Sequence, residues 1–265
     1  MLKAEMGLFV ITSVCTLKCK KCVTFTPYKQ NPHHQNKEMY FASIKCFFDI
    51  YDYIEHADLE GGETLLHPDI IEIIQEFLKY KKQYGELRLL TNGTVMPSEA
   101  VWDVLQSIGD FFMIIDDYGD LSPKVHQIEE EAKRRGIHYR IDHYYGTDQY
   151  CGGWIDMSDL SQKINDSPEL MTKALRNCRQ GNYQPGKMKP CIYDGKLCLC
   201  TAQASLLPHI PFVEGEYIDL LDESVPINRK KDIAKNFGKQ PVSACAYCRG
   251  FDAINGIRCQ AAEQL

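Results

Sequence analysis

The sequence predicts an α/β fold in which strands and helices alternate along the first two-thirds of the chain. Short apolar runs predict five strands, at residues 8–12, 57–60, 86–91, 111–117 and 137–142. Between these runs, apolar residues recur at helical spacing. Such alternation, with near-continuous apolar strands, is typical of a parallel sheet covered by helices. Cysteines also crowd into residues 15–22 and 178–248, which predicts metal or redox chemistry.

The predicted helices have recognisable starts and ends. We expect a first helix over the stripe from Lys37 to His56 and a second that opens at Pro68, since proline suits the first helical position. The third is expected to run from a Ser98 cap to Gly109, and the fourth from Ser122-Pro123 to Gly136. The carboxyl ends of such strands are where parallel α/β enzymes place their chemistry.

Composition bounds the function. The chain has 265 residues, 44% of them hydrophobic and 25% charged, as in an ordinary globular protein. A net charge of −6 argues against nucleic-acid binding, and no apolar run approaches the ~18 residues of a membrane span. Residues 1–6 lack a signal-peptide pattern, so we expect a cytoplasmic protein. Its twelve cysteines then indicate metal or redox work and not disulfides.

Three cysteines follow the first predicted strand, in the pattern C-x3-C-x2-C. They are Cys15, Cys19 and Cys22. Three thiolates on one loop can hold three irons of a four-iron cluster and leave the fourth iron open to another ligand. Close cysteines also occur in zinc sites, which leaves zinc as the alternative. Context favours iron, because no further cysteine follows until Cys46 to complete a zinc knuckle.

The spacing resembles that of the radical S-adenosylmethionine (SAM) superfamily. Glu60-Gly-Gly-Glu-Thr64 resembles that family's GGEP segment, and Leu87-Arg-Leu-Leu-Thr-Asn-Gly-Thr94 resembles its TNG strand. The resemblance covers residues 8–145 and departs from the family pattern at two positions. Lys21 replaces the usual aromatic residue before the third cysteine, and Thr64 replaces the proline, although it keeps the backbone carbonyl.

The resemblance implies a partial (β/α)6 barrel over residues 1–170, with SAM on the open iron. It implies that Gly61, Gly62, Glu63, Thr64 and Asn92 contact SAM, the glycines by letting the backbone approach its amino and carboxylate groups.

Two further candidates lie at later strand ends. By position Asp116 would accept a hydrogen bond from the ribose, or it only begins a turn. Arg140 would pair with the SAM carboxylate, or it points to the surface.

The last third of the chain predicts a second cysteine site. Asp194-Gly195 predicts a two-residue hairpin turn in which Cys191 pairs with Cys198. Strand alternation would then place Cys191, Cys198 and Cys200 on one face. Cys245 and Cys248 follow later as a C-x2-C pair.

This arrangement resembles the twitch module, a shortened SPASM domain that holds an auxiliary cluster, and we assign it to residues 171–265. The resemblance implies a second [4Fe-4S] cluster on Cys200, Cys245, Cys248 and either Cys178 or Cys191. Four protein ligands would leave no open iron, so this cluster would carry electrons. A structural zinc site is the alternative.

The superfamily resemblance implies reductive cleavage of SAM and removal of a hydrogen atom from a substrate. We expect an oxidoreductase acting on a sugar, cyclitol or glycan precursor, with a flavodoxin- or ferredoxin-type electron donor. Net oxidation would use the auxiliary cluster as electron acceptor. Epimerisation would instead need a thiol hydrogen donor, for which Cys151 and Cys198 are the candidates, although either could be simply packed or exposed. The alternatives are a maturase of ribosomally made peptides and a non-catalytic iron–sulfur carrier.

Overall fold

An eight-stranded sheet organises the chain. The structure is a computed structural model and describes residues 1–158 and 160–265. Its strands are β1 (Lys3–Thr12), β2 (Tyr53–Gly61), β3 (Tyr84–Thr91), β4 (Phe111–Asp117), β5 (His138–His143), β6 (Trp154–Ile155), β7 (Cys191–Tyr193), β8 (Lys196–Cys198), β9 (Tyr217–Asp219) and β10 (Arg258–Cys259). Its helices are α1 (Lys37–Ile50), α2 (Ile70–Leu78), α3 (Glu99–Ile108), α4 (Val125–Arg135), α5 (Pro168–Asn177), α6 (Thr201–Leu206) and α7 (Ile227–Ala234).

The strand order in the sheet is β5-β4-β3-β2-β1-β7-β8-β9. Strands β1 to β5 run parallel, and β7 pairs in parallel with β1 on its other edge. Strands β7, β8 and β9 continue as antiparallel neighbours. The carboxyl ends of β1, β2, β3 and β4 therefore lie side by side, which is where the sequence placed the candidate site.

The five predicted strands and the parallel sheet are confirmed, but two helix starts and one helix end were wrong. Helix α1 ends at Ile50 and not near His56, because β2 begins at Tyr53 and pairs with β1 from Lys3 onward. The second helix begins at Ile70, two residues after Pro68. The fourth begins at Val125, because the Ser122 hydroxyl accepts a hydrogen bond from the preceding Tyr118 amide and not from the first turn of a helix.

Other boundaries were correct. The Ser98 hydroxyl accepts a hydrogen bond from the amide of Val101 and so caps α3. Gly136 ends α4 in the left-handed conformation, with φ of 70°. The two-residue hairpin turn is also confirmed, because Cys191 lies opposite Cys198.

Among the residues that the structure describes, no sixth strand pairs with the free edge of β5. After β5 the chain forms β6, which pairs with β10 in a separate two-stranded sheet. The parallel part of the main sheet before the hairpin is thus β1 to β5.

The two faces of the sheet differ in chemistry. On one face Phe9 of β1 packs against the rings of Phe47 and Phe77 from the covering helices, with ring centroids 5.0 and 4.7 Å away. On the other face, neighbouring strands carry a buried ion pair, in which the Arg88 guanidinium donates two hydrogen bonds to Asp58 at 2.6 and 2.7 Å. Within the described residues, no helix is long and apolar enough to cross a membrane.

Replacing Arg88 by methionine is expected to destabilise the protein by about 3–5 kcal/mol, because it leaves the Asp58 carboxyl buried without its cation. Burial raises the pKa of Asp58 and Arg88 opposes this rise. The measurement is the free energy of unfolding in denaturant. Lys45→Met, which removes one partner of the exposed pair with Asp49, is the control and should change little. Equal stabilities for the two variants would contradict a structural role for the buried pair.

Candidate cluster and cofactor sites

The three cysteines after β1 form a loop whose sulfur atoms receive hydrogen bonds. The backbone amide of Leu17 donates to Cys15 Sγ at 3.4 Å, and the Asn92 side-chain amide reaches the same sulfur at 3.5 Å. The side-chain amide of Gln264 donates to Cys19 Sγ at 3.3 Å. Donors directed at sulfur suit thiolates, because they offset negative charge that burial would otherwise disfavour.

Two thiols of this loop, those of Cys15 and Cys19, resist ionisation without a positive partner. Burial raises the pKa of Cys15, and the neighbouring Cys22 raises it further. Burial likewise raises the pKa of Cys19 to about 11, and Gln264 opposes the rise. A bound metal cluster would offset both the burial of the thiolates and their mutual repulsion, since coordination deprotonates thiols and neutralises their charge. The donor set and its hydrogen bonds therefore fit an iron–sulfur cluster.

Gly61 and Gly62 join the end of β2 to this cysteine loop. The amide of Gly62 donates to the Thr12 carbonyl at 2.8 Å. A Cβ on Gly61 would stand 2.2 Å from the Thr12 carbonyl oxygen, and one on Gly62 2.1 Å from the Val14 carbonyl oxygen. Gly61 also has φ of +145°. Glycine is required here because the two backbones touch. In this structure the two glycines allow close approach to the cysteine loop.

Glu63 lies at the centre of the site and is fully buried. Its carboxylate accepts hydrogen bonds from the amide of Leu65 (3.0 Å), the hydroxyl of Thr91 (2.9 Å) and the amide of Asn92 (2.8 Å). Burial raises its pKa to about 7, and these hydrogen bonds oppose the rise. Glu63 therefore fixes the turn after β3 against the segment after β2.

Asn92 and Thr64 complete this junction. The Asn92 amide that reaches Cys15 also donates to Thr16 Oγ1 at 3.2 Å. The buried Thr64 hydroxyl donates to the carbonyl of Leu90, so the threonine that stands in place of the usual proline ties the loop to β3. Five of the seven residues expected near SAM thus lie at this junction: residues 61–64 are consecutive, and the Asn92 amide donates to Glu63.

Asp116 and Arg140 lie at the ends of β4 and β5. The Asp116 carboxyl accepts a hydrogen bond from the Tyr118 hydroxyl at 3.2 Å, and burial raises its pKa to about 7. The Arg140 guanidinium makes two hydrogen bonds with Asp142, at 2.7 and 2.9 Å. The Arg140 guanidinium, which was expected to pair with the SAM carboxylate, is therefore already paired with the buried Asp142 of the same strand.

Glu60 was missed as a site residue, although the sequence carries a signal for it. Ala57 and Leu59 are fully buried on the helix-facing side of β2, so alternation places Asp58 and Glu60 on the opposite face. Glu60 Oε1 is buried and has no hydrogen-bond partner among the residues that the structure describes. Burial raises its pKa to about 8, and repulsion from Asp58 and Asp116 adds to this.

Glu60 predicts a particular dependence of stability on pH. The folded protein keeps this proton up to about pH 8, whereas an unfolded glutamate loses it near 4.5, so unfolding releases a proton between these values. Glu60 should therefore contribute a fall in stability as pH rises through this window, with a slope of its own approaching ~1.4 kcal/mol per pH unit. Denaturant unfolding of Glu60→Gln should show a flatter profile. Glu55→Gln, at an exposed position on the same strand, should keep the wild-type slope, and identical slopes in all three proteins would exclude this role.

A second group of cysteines lines one cavity. Cys178, Cys200, Cys245 and Cys248 surround it together with Gly181, Gly250 and apolar side chains. Backbone amides point at the sulfurs: Gly181 and Phe251 donate to Cys178 at 3.2 and 3.3 Å, and Gly250 donates to Cys248 at 3.3 Å.

Three thiols of this second cavity, those of Cys200, Cys245 and Cys248, are hard to ionise. Burial and the neighbouring Cys178 and Cys245 together raise the pKa of Cys248 to about 12. The pKa of Cys200 is raised for the same reasons. Four cysteines around one cavity, with backbone amides directed at two of their sulfurs, are a fitting ligand set for a cluster.

Cys191 and Cys198 lie apart from this cavity. Both are fully buried in an apolar group with Leu8 and Val10 of β1. The prediction that Cys200 shares their face was wrong, because β8 ends at Cys198 and Cys200 precedes α6. The sequence left open whether Cys178 or Cys191 is the fourth ligand. In the structure, Cys178 lines the cavity and Cys191 does not. Cys151, the other candidate hydrogen donor, is exposed and has φ of 51°.

Across residues 1–158 and 160–265, no three His, Cys, Asp or Glu side chains stand close enough to hold a single metal ion. A four-iron cluster places each thiolate on a different iron, so its ligands lie farther apart than those of one ion.

Comparisons with known proteins show the fold. No protein-family model and no curated protein matches the chain. The crystal structure of BtrN in complex with AdoMet and 2-DOIA matches with a TM-score of 0.57 and 15% identity, over 100% of this chain and 98% of that one. Streptococcus suis SuiB bound to S-adenosylmethionine matches with a TM-score of 0.50 and 12% identity, over 87% of this chain and 66% of SuiB. The chain therefore shares the fold of these two proteins.

Native anSMEcpe with bound AdoMet and Cp18Cys peptide matches over 51% of this chain, with a TM-score of 0.41 and 22% identity. This chain spans only 42% of its length.

Proposed function

We propose that this protein is a radical SAM enzyme with an auxiliary iron–sulfur cluster. The observation that carries the proposal is the hydrogen-bonded junction of three motifs at neighbouring strand ends. The cysteine loop after β1, Gly61 and Gly62 after β2 and Asn92 after β3 contact one another directly. A simple electron carrier has no need for an open iron beside such a junction. The shared fold with BtrN, whose structure contains AdoMet, supports the same proposal.

In this proposal Cys15, Cys19 and Cys22 hold three irons of a [4Fe-4S] cluster, and SAM binds the fourth. When bound, the cluster and SAM supply a 5′-deoxyadenosyl radical that removes a hydrogen atom from the substrate. The chain's own residues position these groups. Asn92 directs its amide at Cys15, and Glu63 holds the Asn92 turn in place through the backbone amide. Burial of Glu63 keeps water away from this junction.

The second cavity holds the proposed auxiliary cluster, on Cys178, Cys200, Cys245 and Cys248. Four protein ligands leave no iron for substrate, so the residues of this twitch-like module, 171–265, serve electron transfer. Such a cluster would supply an acceptor for one electron from the substrate radical, and with the loss of one proton the net reaction would be a two-electron oxidation. An external donor of the flavodoxin or ferredoxin type would supply the electron for SAM cleavage.

We propose a small polyhydroxylated substrate, such as a sugar or cyclitol. The polar face of the sheet supports this, because the carboxyls of Glu60 and Asp116 offer buried hydrogen-bond acceptors for hydroxyl groups. Overall similarity to BtrN, crystallised with 2-DOIA, points the same way. The location of the two thiol candidates favours oxidation over epimerisation, since Cys198 is buried in an apolar group and Cys151 is exposed. Maturation of a ribosomally made peptide remains the second enzymatic candidate.

The test is formation of 5′-deoxyadenosine. Protein reconstituted without oxygen, reduced and mixed with SAM should form it, and candidate sugars, cyclitols and peptides should be screened for those that increase its rate. The Cys15→Ala/Cys19→Ala/Cys22→Ala variant is the control and should form none. An iron-loaded protein that neither binds SAM nor forms the product would instead indicate an electron carrier.

A further inference from the structure

The segment Glu263–Leu265 pairs with the first cysteine loop, about 245 residues away in sequence. Cys19 and Gln264 form an antiparallel bridge. The Lys20 amide donates to the Glu263 carbonyl at 2.7 Å, and the Leu265 amide donates to the Lys18 carbonyl at 2.9 Å. The loop is thus held on one side by β2 and on the other by this segment.

The Gln264 side chain uses both ends of its amide on this loop. Its Oε1 accepts a hydrogen bond from the backbone amide of Lys18 at 2.8 Å. Because a backbone amide can only donate, this contact fixes which end of the side chain is oxygen. The nitrogen Nε2 is then directed at Cys19 Sγ at 3.3 Å, and it also donates to the Ala262 carbonyl at 2.6 Å.

A hydrogen bond to a cluster sulfur has a defined electrostatic effect. Reduction adds negative charge to the cluster, and a donor directed at sulfur stabilises that charge, so it raises the reduction potential. Groups that orient metal ligands in this way also affect how tightly the metal is held. Cys19 is 7% exposed, the least of the three cysteines in its loop, so water competes little with Gln264 there.

We propose that Gln264 is a positioning residue for the first cluster: its amide raises the reduction potential of that cluster and helps to retain its iron. This inference rests on the proposed function, because it requires a cluster on Cys15, Cys19 and Cys22. In this proposal the segment Glu263–Leu265 holds the loop that binds the cluster in place. A merely structural role for the segment would hold the loop without changing the potential.

The experiment compares wild-type holoprotein with Gln264→Met, which keeps the side-chain length but removes the donor. The measurements are the midpoint potential of the first cluster, from redox titration followed by electron paramagnetic resonance (EPR), and the rate of iron loss to a chelator. We expect a more negative potential and about 10-fold faster iron loss. Glu263→Gln is the matched control. It removes only the exposed ion pair with Lys20 and should match wild type in both measurements.

A second variant guards against a folding defect. Gln264→Glu keeps the oxygen that accepts from Lys18 and replaces the donor by a carboxylate, so its potential should also be more negative and should rise again as acidic buffer protonates the new side chain. Wild-type potentials in both variants would overturn the inference. If wild-type protein assembles no cluster on Cys15, Cys19 and Cys22, the proposed function fails and the inference with it. An intact wild-type cluster with unchanged variants rejects the inference alone.

Discussion

Replacing Cys15, Cys19 and Cys22 together by alanine is expected to halve the iron content, from about eight to about four atoms per chain, and to abolish SAM cleavage. The reason is that these three thiols have no role in the second cavity, which Cys178, Cys200, Cys245 and Cys248 line by themselves. Iron and acid-labile sulfide, measured after anaerobic reconstitution, check the prediction. Cys245→Ala/Cys248→Ala, which leaves only Cys178 and Cys200 in the second cavity, should remove the other half of the iron.

The control for both variants is Cys151→Ala, since that exposed thiol lines neither site. It should retain wild-type iron. Zinc in place of iron in the triple variant would show that the second cavity is a structural zinc site, and full iron in that variant would show that the first loop holds no cluster.

Gly62→Ala is expected to destabilise the protein by about 3 kcal/mol and to remove most SAM cleavage. A Cβ at this position would stand 2.1 Å from the Val14 carbonyl oxygen and 3.1 Å from Cys15 Cβ. The Val14 carbonyl belongs to the backbone, so it cannot move away without shifting the adjacent Cys15. Urea denaturation gives the stability, and iron content after reconstitution reports directly on the loop.

Gly109→Ala separates this clash from the ordinary cost of replacing glycine. Gly109 has φ of +74° but nothing within 4 Å of an added Cβ, so its replacement should cost about 1 kcal/mol and leave iron unchanged. If Gly62→Ala binds iron and cleaves SAM like wild type, the close contact between β2 and the cysteine loop is not required.

The parallel sheet and the placement of motifs at strand ends could be predicted from sequence, because apolar runs and turn residues act locally. The cysteine motif could also be recognised from its spacing. Strand boundaries were harder to predict. Residues Tyr53–His56 continue a helical stripe in the sequence, yet they pair with β1, because pairing between strands outweighed the local pattern. Pro68 likewise stands before its helix and not in it.

Side-chain partners across the sheet could not be predicted. The sequence marks Arg140 as a cation near a strand end, but only the structure shows that Asp142 already pairs with it. The contact of Gln264 with Cys19 joins residues far apart in sequence, and no local signal announces it. Cys178 could be separated from Cys191 only once the structure placed Cys178 in the second cavity and Cys191 in a separate apolar group. Glu60 could have been predicted as a site residue, since strand alternation alone places it on the polar face of the sheet.

The most direct measurement is the EPR spectrum of reduced Cys245→Ala/Cys248→Ala protein, recorded with and without SAM. This variant retains the cluster on Cys15, Cys19 and Cys22, so no auxiliary signal overlaps it. If the fourth iron is open, SAM binds it and the spectrum changes. A cluster signal that stays the same in excess SAM would contradict the proposal that this loop presents an open iron to SAM.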